Sequence, residues 1–502
     1  MKKDNHEILE RRKSQIEECL KRKNWTEQQE PMLKPANIVL EMSDRDRGVG
    51  CGGIGAIHTL VTKLKLSEAI NRKVKVLKAH LPYFESDHVL NIAYNVMSGG
   101  NVLEDIKQLR NDEAYLDALS AQRIPDATTA GDFLRRFDEQ TILDLQEAVN
   151  ESRKKVWAGQ EESFKQEAII DADGTIAKTL GNCKQGMDIS YKGIWGYAPL
   201  IISLANTNEV LYLVNRPGNH VSAMGAAEWM DRAIDLAAGT FKKVMLRGDT
   251  DFSLTTNFDR WDERGVKFVF GYDAMPNLKR IVEDLPETAW KEMVRPARYE
   301  VKTRERNKPE NVKEAKIKER QYKNIRLKSE SIAEFDYNPP RWCKKMYRMV
   351  VLRKNLSVER GERRLFDEIR YFFYITNDWK KSTEQIVEAS NKRCNQENLI
   401  AQLNEVSAMK MPSSDLMSNW AYMVMAALAW NLKAWFAMMI QDKQASKETL
   451  RMEFKRFARS LLWIPCQVIR TSRRLVYRIL SYNHNLKVFL ETFEYIKRFK
   501  FV

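Results

Sequence analysis

The chain is short of the residues that build metal fingers, disulfide scaffolds and membrane spans. Its six cysteines (Cys19, Cys51, Cys183, Cys343, Cys394 and Cys466) are scattered over 502 residues. No two have finger spacing, which argues against a structural zinc site. The same scatter is unlike a secreted disulfide scaffold and fits a reducing cytoplasm. Histidine is equally scarce, with six copies that form no metal-ligand or triad pattern. The longest uncharged run, Leu416–Leu432, spans 17 residues and is interrupted by Ser418, Asn419 and Asn431. A bilayer span wants ~20 predominantly apolar residues, so this run reads as a buried core helix, and no membrane partner is expected. The opening MKKDNHEILERRK has no apolar stretch of the signal-peptide kind. No repeat of solenoid or propeller period is visible.

Positive charge is what the chain has in excess. Lys and Arg number 83 against 68 Asp and Glu, a net charge of +15, while 43% hydrophobic residues exclude wholesale disorder. A surplus of that size points to a polyanionic partner, nucleic acid first, with scattered surface lysines as the bland alternative.

The texture divides the chain. Residues 1–155 read as a helical, DNA-binding N-terminal region, with turns at Gly99-Gly100 and Pro125-Asp126 and a helix start at Thr129–Asp132. Gly48–Gly55 resembles a nucleotide loop but lacks the Gly-Lys-Ser/Thr ending, and reads as a flexible turn. Beyond Lys165 short apolar segments suggest strands: 168–173, 200–204, 210–214, 243–246 and 266–270, with a helix over 223–237. Residues 156–272 are therefore expected to form the first part of a mixed α/β sheet domain. Residues 273–365 read as a β-rich insertion, with strands at 346–352 and, just beyond it, 369–375. Residues 366–445 complete the sheet domain and include one long helix over Lys381–Val406. Residues 446–502 read as a basic helical tail, since 451–502 hold 12 Lys/Arg against 3 Asp/Glu, interleaved with aromatics.

Two of the expected strands run into acids: Ala168-Ile-Ile into Asp171-Ala-Asp173, and Val244-Met-Leu towards Asp249-Thr-Asp251. A carboxylate at the end of an apolar strand is costly unless a cation or donors compensate it. Two from neighbouring strands make a natural site for a hard cation. A third acid is sought on the 381–406 helix, where Arg393 and Glu397, four apart, share one face, and Glu384 and Glu405 compete for the role.

The segments Asp171-Ala-Asp-Gly-Thr175, Tyr191-Lys-Gly-Ile-Trp-Gly-Tyr-Ala-Pro-Leu200, Arg216-Pro-Gly-Asn-His220, Leu246-Arg-Gly-Asp-Thr-Asp-Phe252 and Arg393-(x3)-Glu397 together resemble an insertion-sequence DDE transposase. The resemblance covers roughly residues 35–440 and is to the branch whose ribonuclease-H-like core is interrupted by a β-rich insertion. It implies a ribonuclease-H-like mixed sheet flanked by helices, and a catalytic, metal-binding triad of Asp173, Asp249 and Glu397. It implies Mg²⁺, with Mn²⁺ able to substitute, and cleavage of terminal inverted repeats followed by strand transfer into target DNA. In that branch the cut often passes through a hairpin. A homodimer in a synaptic complex follows, in the cytoplasm and at the nucleoid. The branch's Tyr-(2)-Arg-(3)-Glu-(6)-Lys signature is half kept, because Ser390 and Asn404 stand at its tyrosine and lysine positions. DNA contacts are expected from Arg393, from Arg473, Arg474 and Arg478 in the tail, and from Trp342 in the insertion as a base-stacking aromatic. A nuclease without strand transfer and a silent DNA-binding relative are the rival readings.

Overall fold

The computed structural model describes residues 3–21, 27, 29, 31–33, 36–43, 46–181, 183–293, 326–339, 343–359, 362–471 and 474–501, without the side chains of 3, 4, 326–329, 356–359 and 362–368. Most of the basic stretch 301–330, as well as Trp342 and Arg473, lies outside the described residues. The chain forms two compact units: Gln166–Gly174 with Ser222–Glu397, and Met1–Lys165 with Thr175–Val221 and Asn398–Val502.

The first of these is built on strands β1 (Ala168–Gly174), β2 (Val244–Gly248), β3 (Lys267–Tyr272), β4 (Arg326–Tyr337), β5 (Tyr347–Glu359) and β6 (Glu362–Thr376). They lie in the order β4-β5-β6-β3-β2-β1. The pairs β1/β2 and β2/β3 are parallel, and the other three are antiparallel. The expected insertion thus contributes its long strands to the edge of the same sheet, with β6 bonded directly to β3. A parallel pair needs a crossover. Between β1 and β2 the chain includes helix α1 (Ala226–Ala238), which buries Trp229, Met230, Ala233, Ile234 and Ala237 along one stripe.

The sequence predicts a single helix over 381–406, but the structure has two, α2 (Thr383–Asn391) and α3 (Cys394–Glu405). The break falls at Lys392-Arg393, where i→i+3 bonds (Arg393 N–H to Ser390 O, 3.0 Å; Gln396 N–H to Arg393 O, 2.8 Å) replace the helical ladder. No glycine or proline marks it. α2 opens on a reciprocal capping box: Ser382 Oγ accepts from Gln385 N–H at 3.3 Å, and Gln385 Oε1 accepts from Ser382 N–H at 2.9 Å. Its Ile386 and Val387 are buried against Met245, Val269, Ile332, Val350 and Leu352 of the sheet. That contact fixes where the following turn, and Arg393, come to rest.

The second unit packs the helix Leu416–Met438 against the helices Glu85–Met97 and Glu139–Ala158 and the hairpin Leu200–Leu204/Glu209–Val214. The apolar run is therefore core, and no described helix is long and apolar enough to cross a membrane. Strand 209–214 pairs with 200–204 and has some of its remaining backbone groups satisfied by side chains. Asn431 exchanges two bonds with Val210 (2.9 and 3.1 Å), and Gln146 Oε1 accepts from Leu213 N–H at 2.8 Å. Glu209, fully buried, accepts from Arg153, Trp157, Trp435 and Thr207. The helix Ala127–Leu134 starts one turn earlier than expected, capped by Asp126, whose carboxylate accepts from Thr129 N–H at 2.8 Å.

Two further expectations are corrected here. The tail is not wholly helical: between the helix Lys443–Arg451 and the helix Leu486–Arg498 it forms an antiparallel hairpin, Cys466–Arg470 with Leu475–Ile479. Alternating apolar residues on either side of Thr471-Ser472 are the period-2 signature behind it. Gly48–Gly55 is a packed turn rather than a flexible one. Gly48-Val49 pairs with the hairpin, and the Gly52 and Gly53 amides each donate at 2.9 Å to Ile464 O and Leu462 O. A Cβ at Gly53 would collide with the Leu461 carbonyl.

Candidate active site

The parallel register of β1 and β2 sets Asp171 directly beside Arg247. Side chains two apart on a strand share a face, so Asp173 and Asp249 come next in the same row, one pair further along. At Asp249 the chain leaves β2 for a short 3₁₀ turn that the carboxylate itself caps, accepting from Asp251 N–H at 3.1 Å. Gly248 permits this turn, because a Cβ there would press on Phe252 and Phe270.

The two pairs are chemically different. Asp171 and Arg247 are buried, with relative exposures of 1% and 3%, and form a fork-to-fork pair at 2.7 Å on both arms. The third guanidinium nitrogen donates to Ala389 O at 2.9 Å, tying both strands to the C-terminal turn of α2. Burial raises the Asp171 pKa, and the guanidinium opposes that rise. Asp173 and Asp249 have no such private cation. Both face one nitrogen, Arg393 Nη1, at 3.3 Å and 4.0 Å. Asp173 has its pKa pushed up to about 6, first by burial and then by the charges of Asp249 and Glu397, while Arg393 holds it down. Asp249, more exposed, is also raised by burial and by Asp251, again against Arg393.

The structure thus brings together Asp173, Asp249 and Arg393. Glu397, in the first turn of α3, is exposed, and its charge reaches Asp173. Among the described residues, no three His, Cys, Asp or Glu side chains lie close enough to hold a metal ion jointly. The donor set is still that of a hard cation: two converging carboxylates with a guanidinium standing where positive charge is required. Magnesium is held by one or two carboxylates plus water and phosphate oxygens, and the residues present fit it. Of Glu397's competitors, Glu384 belongs to the first turn of α2, a separate helix, and Glu405 pairs with Lys455. Of the arginines expected to touch DNA in the tail, Arg474 sits at the hairpin turn and Arg478 on its second strand, where Arg478 donates to Gln467 Oε1 at 2.9 Å. The residue that the sequence reading missed is Arg247. The signal was available, since a cation following Val-Met-Leu in a buried strand needs a partner for the same reason Asp171 does.

Comparison with known proteins gives the family of the chain. Residues 46–501 match the family described as Transposase DDE domain group 1. No curated protein matches the chain. Among solved structures, the cryo-EM structure of a piggyBac transposase synaptic complex with hairpin DNA is similar at 9% identity. Its TM-score is 0.37, over 82% of this chain and 81% of that one, which is too loose to place any residue. The family match spans nearly the whole chain and takes in every element of the site, and on that ground the protein belongs to the DDE transposases, enzymes of DNA transposition.

Proposed function

We propose that this transposase cleaves DNA at the terminal inverted repeats of an insertion sequence and joins the freed end to target DNA, using Mg²⁺ or Mn²⁺ held by Asp173, Asp249 and Glu397. The observation that carries the reading is the convergence of Asp173 and Asp249 on one guanidinium at the ends of two register-matched parallel strands. Such a pair lacks a full complement of positive charge and suits a divalent ion.

A metal bound there would activate water or a 3′-hydroxyl and stabilise the leaving oxygen of an in-line phosphodiester attack. The chain's own residues do the rest. Asp173, its pKa pushed up to about 6 by burial, would supply one carboxylate ligand. Asp249 is held by its own cap, so its orientation is set before substrate arrives. Glu397 completes the acidic set from α3. Arg393, at the α2–α3 break, offers a fork-shaped donor to a backbone phosphate. Arg473, Arg474, Arg478 and Trp342 are proposed to contact DNA. The core is read as ribonuclease-H-like, and two copies, each on one element end, are expected in the synaptic complex.

The test is strand cleavage by the full chain of a labelled duplex carrying the inverted repeat that flanks its gene, in Mg²⁺, with products resolved on a denaturing gel. Nicking followed by joining to a second duplex is expected, and Asp249→Asn should abolish both. Hairpin products would show the route of second-strand cleavage. Cleavage without joining would favour the nuclease reading, and DNA binding without cleavage the silent relative.

A further inference from the structure

Two negative charges meet one positive charge at the site. Arg393 Nη1 is the atom that faces both aspartates, 3.3 Å from one and 4.0 Å from the other. By contrast Asp171, one step back along the row, has Arg247 to itself. A single nitrogen between two carboxylates occupies the place a divalent ion would take, and the two cannot be there together. The Arg393 backbone is placed by the turn between α2 and α3, and its side chain leaves from that turn rather than from the middle of a helix. Its side chain is 18% exposed, so it has a path outward.

We propose that Arg393 is an internal counter-cation that competes with the metal for Asp173 and Asp249, and that a DNA phosphate loads the metal by drawing the guanidinium away. The inference rests on the reading of these carboxylates as metal ligands. It adds a coupling between two binding events: guanidinium–phosphate pairing frees the aspartates, and by linkage metal binding makes Arg393 more available to DNA. The guanidinium is suited to the exchange because it stays charged and its fork matches phosphate as well as carboxylate. Without DNA the guanidinium stands between the two aspartates and leaves the site unarmed. With DNA the cation that leaves is the one that grips the substrate.

The test is Mn²⁺ binding, not turnover, followed by isothermal titration of the full chain at fixed ionic strength with and without a short duplex, after subtracting the duplex alone. Arg393→Gln should bind Mn²⁺ roughly tenfold more tightly than the wild type without DNA, low in the 5–150-fold range usual for coupled sites. Arg393→Lys, which keeps the charge, should stay within about threefold of the wild type. The duplex should tighten Mn²⁺ binding by the wild type by a similar roughly tenfold, and should leave Arg393→Gln nearly unchanged. Unchanged or weaker Mn²⁺ binding by a folded Arg393→Gln overturns the proposal. Should that variant not fold, the wild type decides: no tightening by the duplex overturns it equally. Asp173→Asn separates the two levels of the argument. If it binds Mn²⁺ as the wild type does, the assignment of the metal site fails; if only Asp173→Asn loses the ion while Arg393→Gln behaves as wild type, the metal site stands and the coupling alone is wrong.

Discussion

Asp171 and Asp173 are two residues apart on one strand and are expected to answer the same truncation in opposite ways. Asp171→Ala strips Arg247 of its bidentate partner at a position where both side chains are almost wholly buried. What remains to the guanidinium is the Ala389 carbonyl. Breaking one side of a buried pair costs about 3–5 kcal/mol, because the surviving charge is left desolvated. For a cooperative unit of 150–250 residues each kcal/mol moves Tm by about 2–4 °C, so a fall on the order of 10 °C is expected. Asp173→Ala removes a carboxylate whose raised pKa already records an unfavourable burial of charge, together with a looser ion pair. Its stability should stay within about 1 kcal/mol of the wild type, as is usual away from the few strongly destabilising mechanisms, while DNA cleavage is lost. Urea unfolding followed by tryptophan fluorescence at neutral pH, run beside a nicking assay, reads both effects. The double variant Asp171→Leu/Arg247→Met should lose less than the sum of its singles, since it leaves no orphaned charge. An Asp171→Ala protein as stable as wild type would refute the partition between a structural and a chemical aspartate. So would normal cleavage by Asp173→Ala.

Three other outcomes are expected. Glu397→Gln should eliminate nicking in Mg²⁺, while Glu384→Gln and Glu405→Gln cut at near wild-type rate; an active Glu397→Gln enzyme would remove it from the metal set. Arg474→Gln and Arg478→Gln should each flatten the slope of log DNA affinity against log salt by about 0.9, one phosphate contact apiece, and an unchanged slope would show that the hairpin does not touch DNA. His88 is buried, stacks on Phe133 at 4.2 Å, and has its pKa lowered to about 4 by burial. The unfolded imidazole takes up protons below its ordinary value near 6.5 and the folded one does not. Stability should therefore fall as pH drops from 6.5 towards 4, by up to about 3 kcal/mol at 1.36 kcal/mol per pH unit, and His88→Phe should show a correspondingly shallower loss in urea melts at pH 4.5 and 7.

The sequence carries local information well and spatial information poorly, and particular residues show the division. Apolar, β-branched runs at 168–173, 200–204, 210–214, 266–270, 346–352 and 369–375 all lie within or against strands, because burial of a strand is written in its own composition. Which strand neighbours which is not written there: that β6 bonds to β3, or that Asp171 stands opposite Arg247, depends on residues some 76 to 108 positions apart meeting in space. The break at Lys392-Arg393 left no mark, since it is made by a change of hydrogen-bond step rather than by a glycine or proline. Glu384 and Glu397 therefore belong to separate helices, and an angle between them around one helix axis has no meaning. In the tail, basic charge is compatible with helix and strand alike, and only the alternation in Cys466–Arg470 and Leu475–Ile479 marks the hairpin.

The hairpin also changes how DNA binding by the tail has to be tested. Removing residues 451–502 looks like the direct experiment if they form a detachable basic arm. Yet Phe454, Phe457, Leu461, Leu462, Ile464, Leu486, Phe489 and Ile496 are all buried. The hairpin also receives Gly48-Val49, and the Gly52 and Gly53 amides bond to the carbonyls just before it. Each large apolar side chain lost from a core costs about 2–5 kcal/mol, so truncation would exceed the whole stability of an ordinary domain. A truncated chain that failed to bind DNA would report unfolding, not lost phosphate contacts. Neutralising Arg474 and Arg478, both exposed on the hairpin, removes charge and leaves the buried side untouched, so a change in salt slope can be assigned to the surface that produced it.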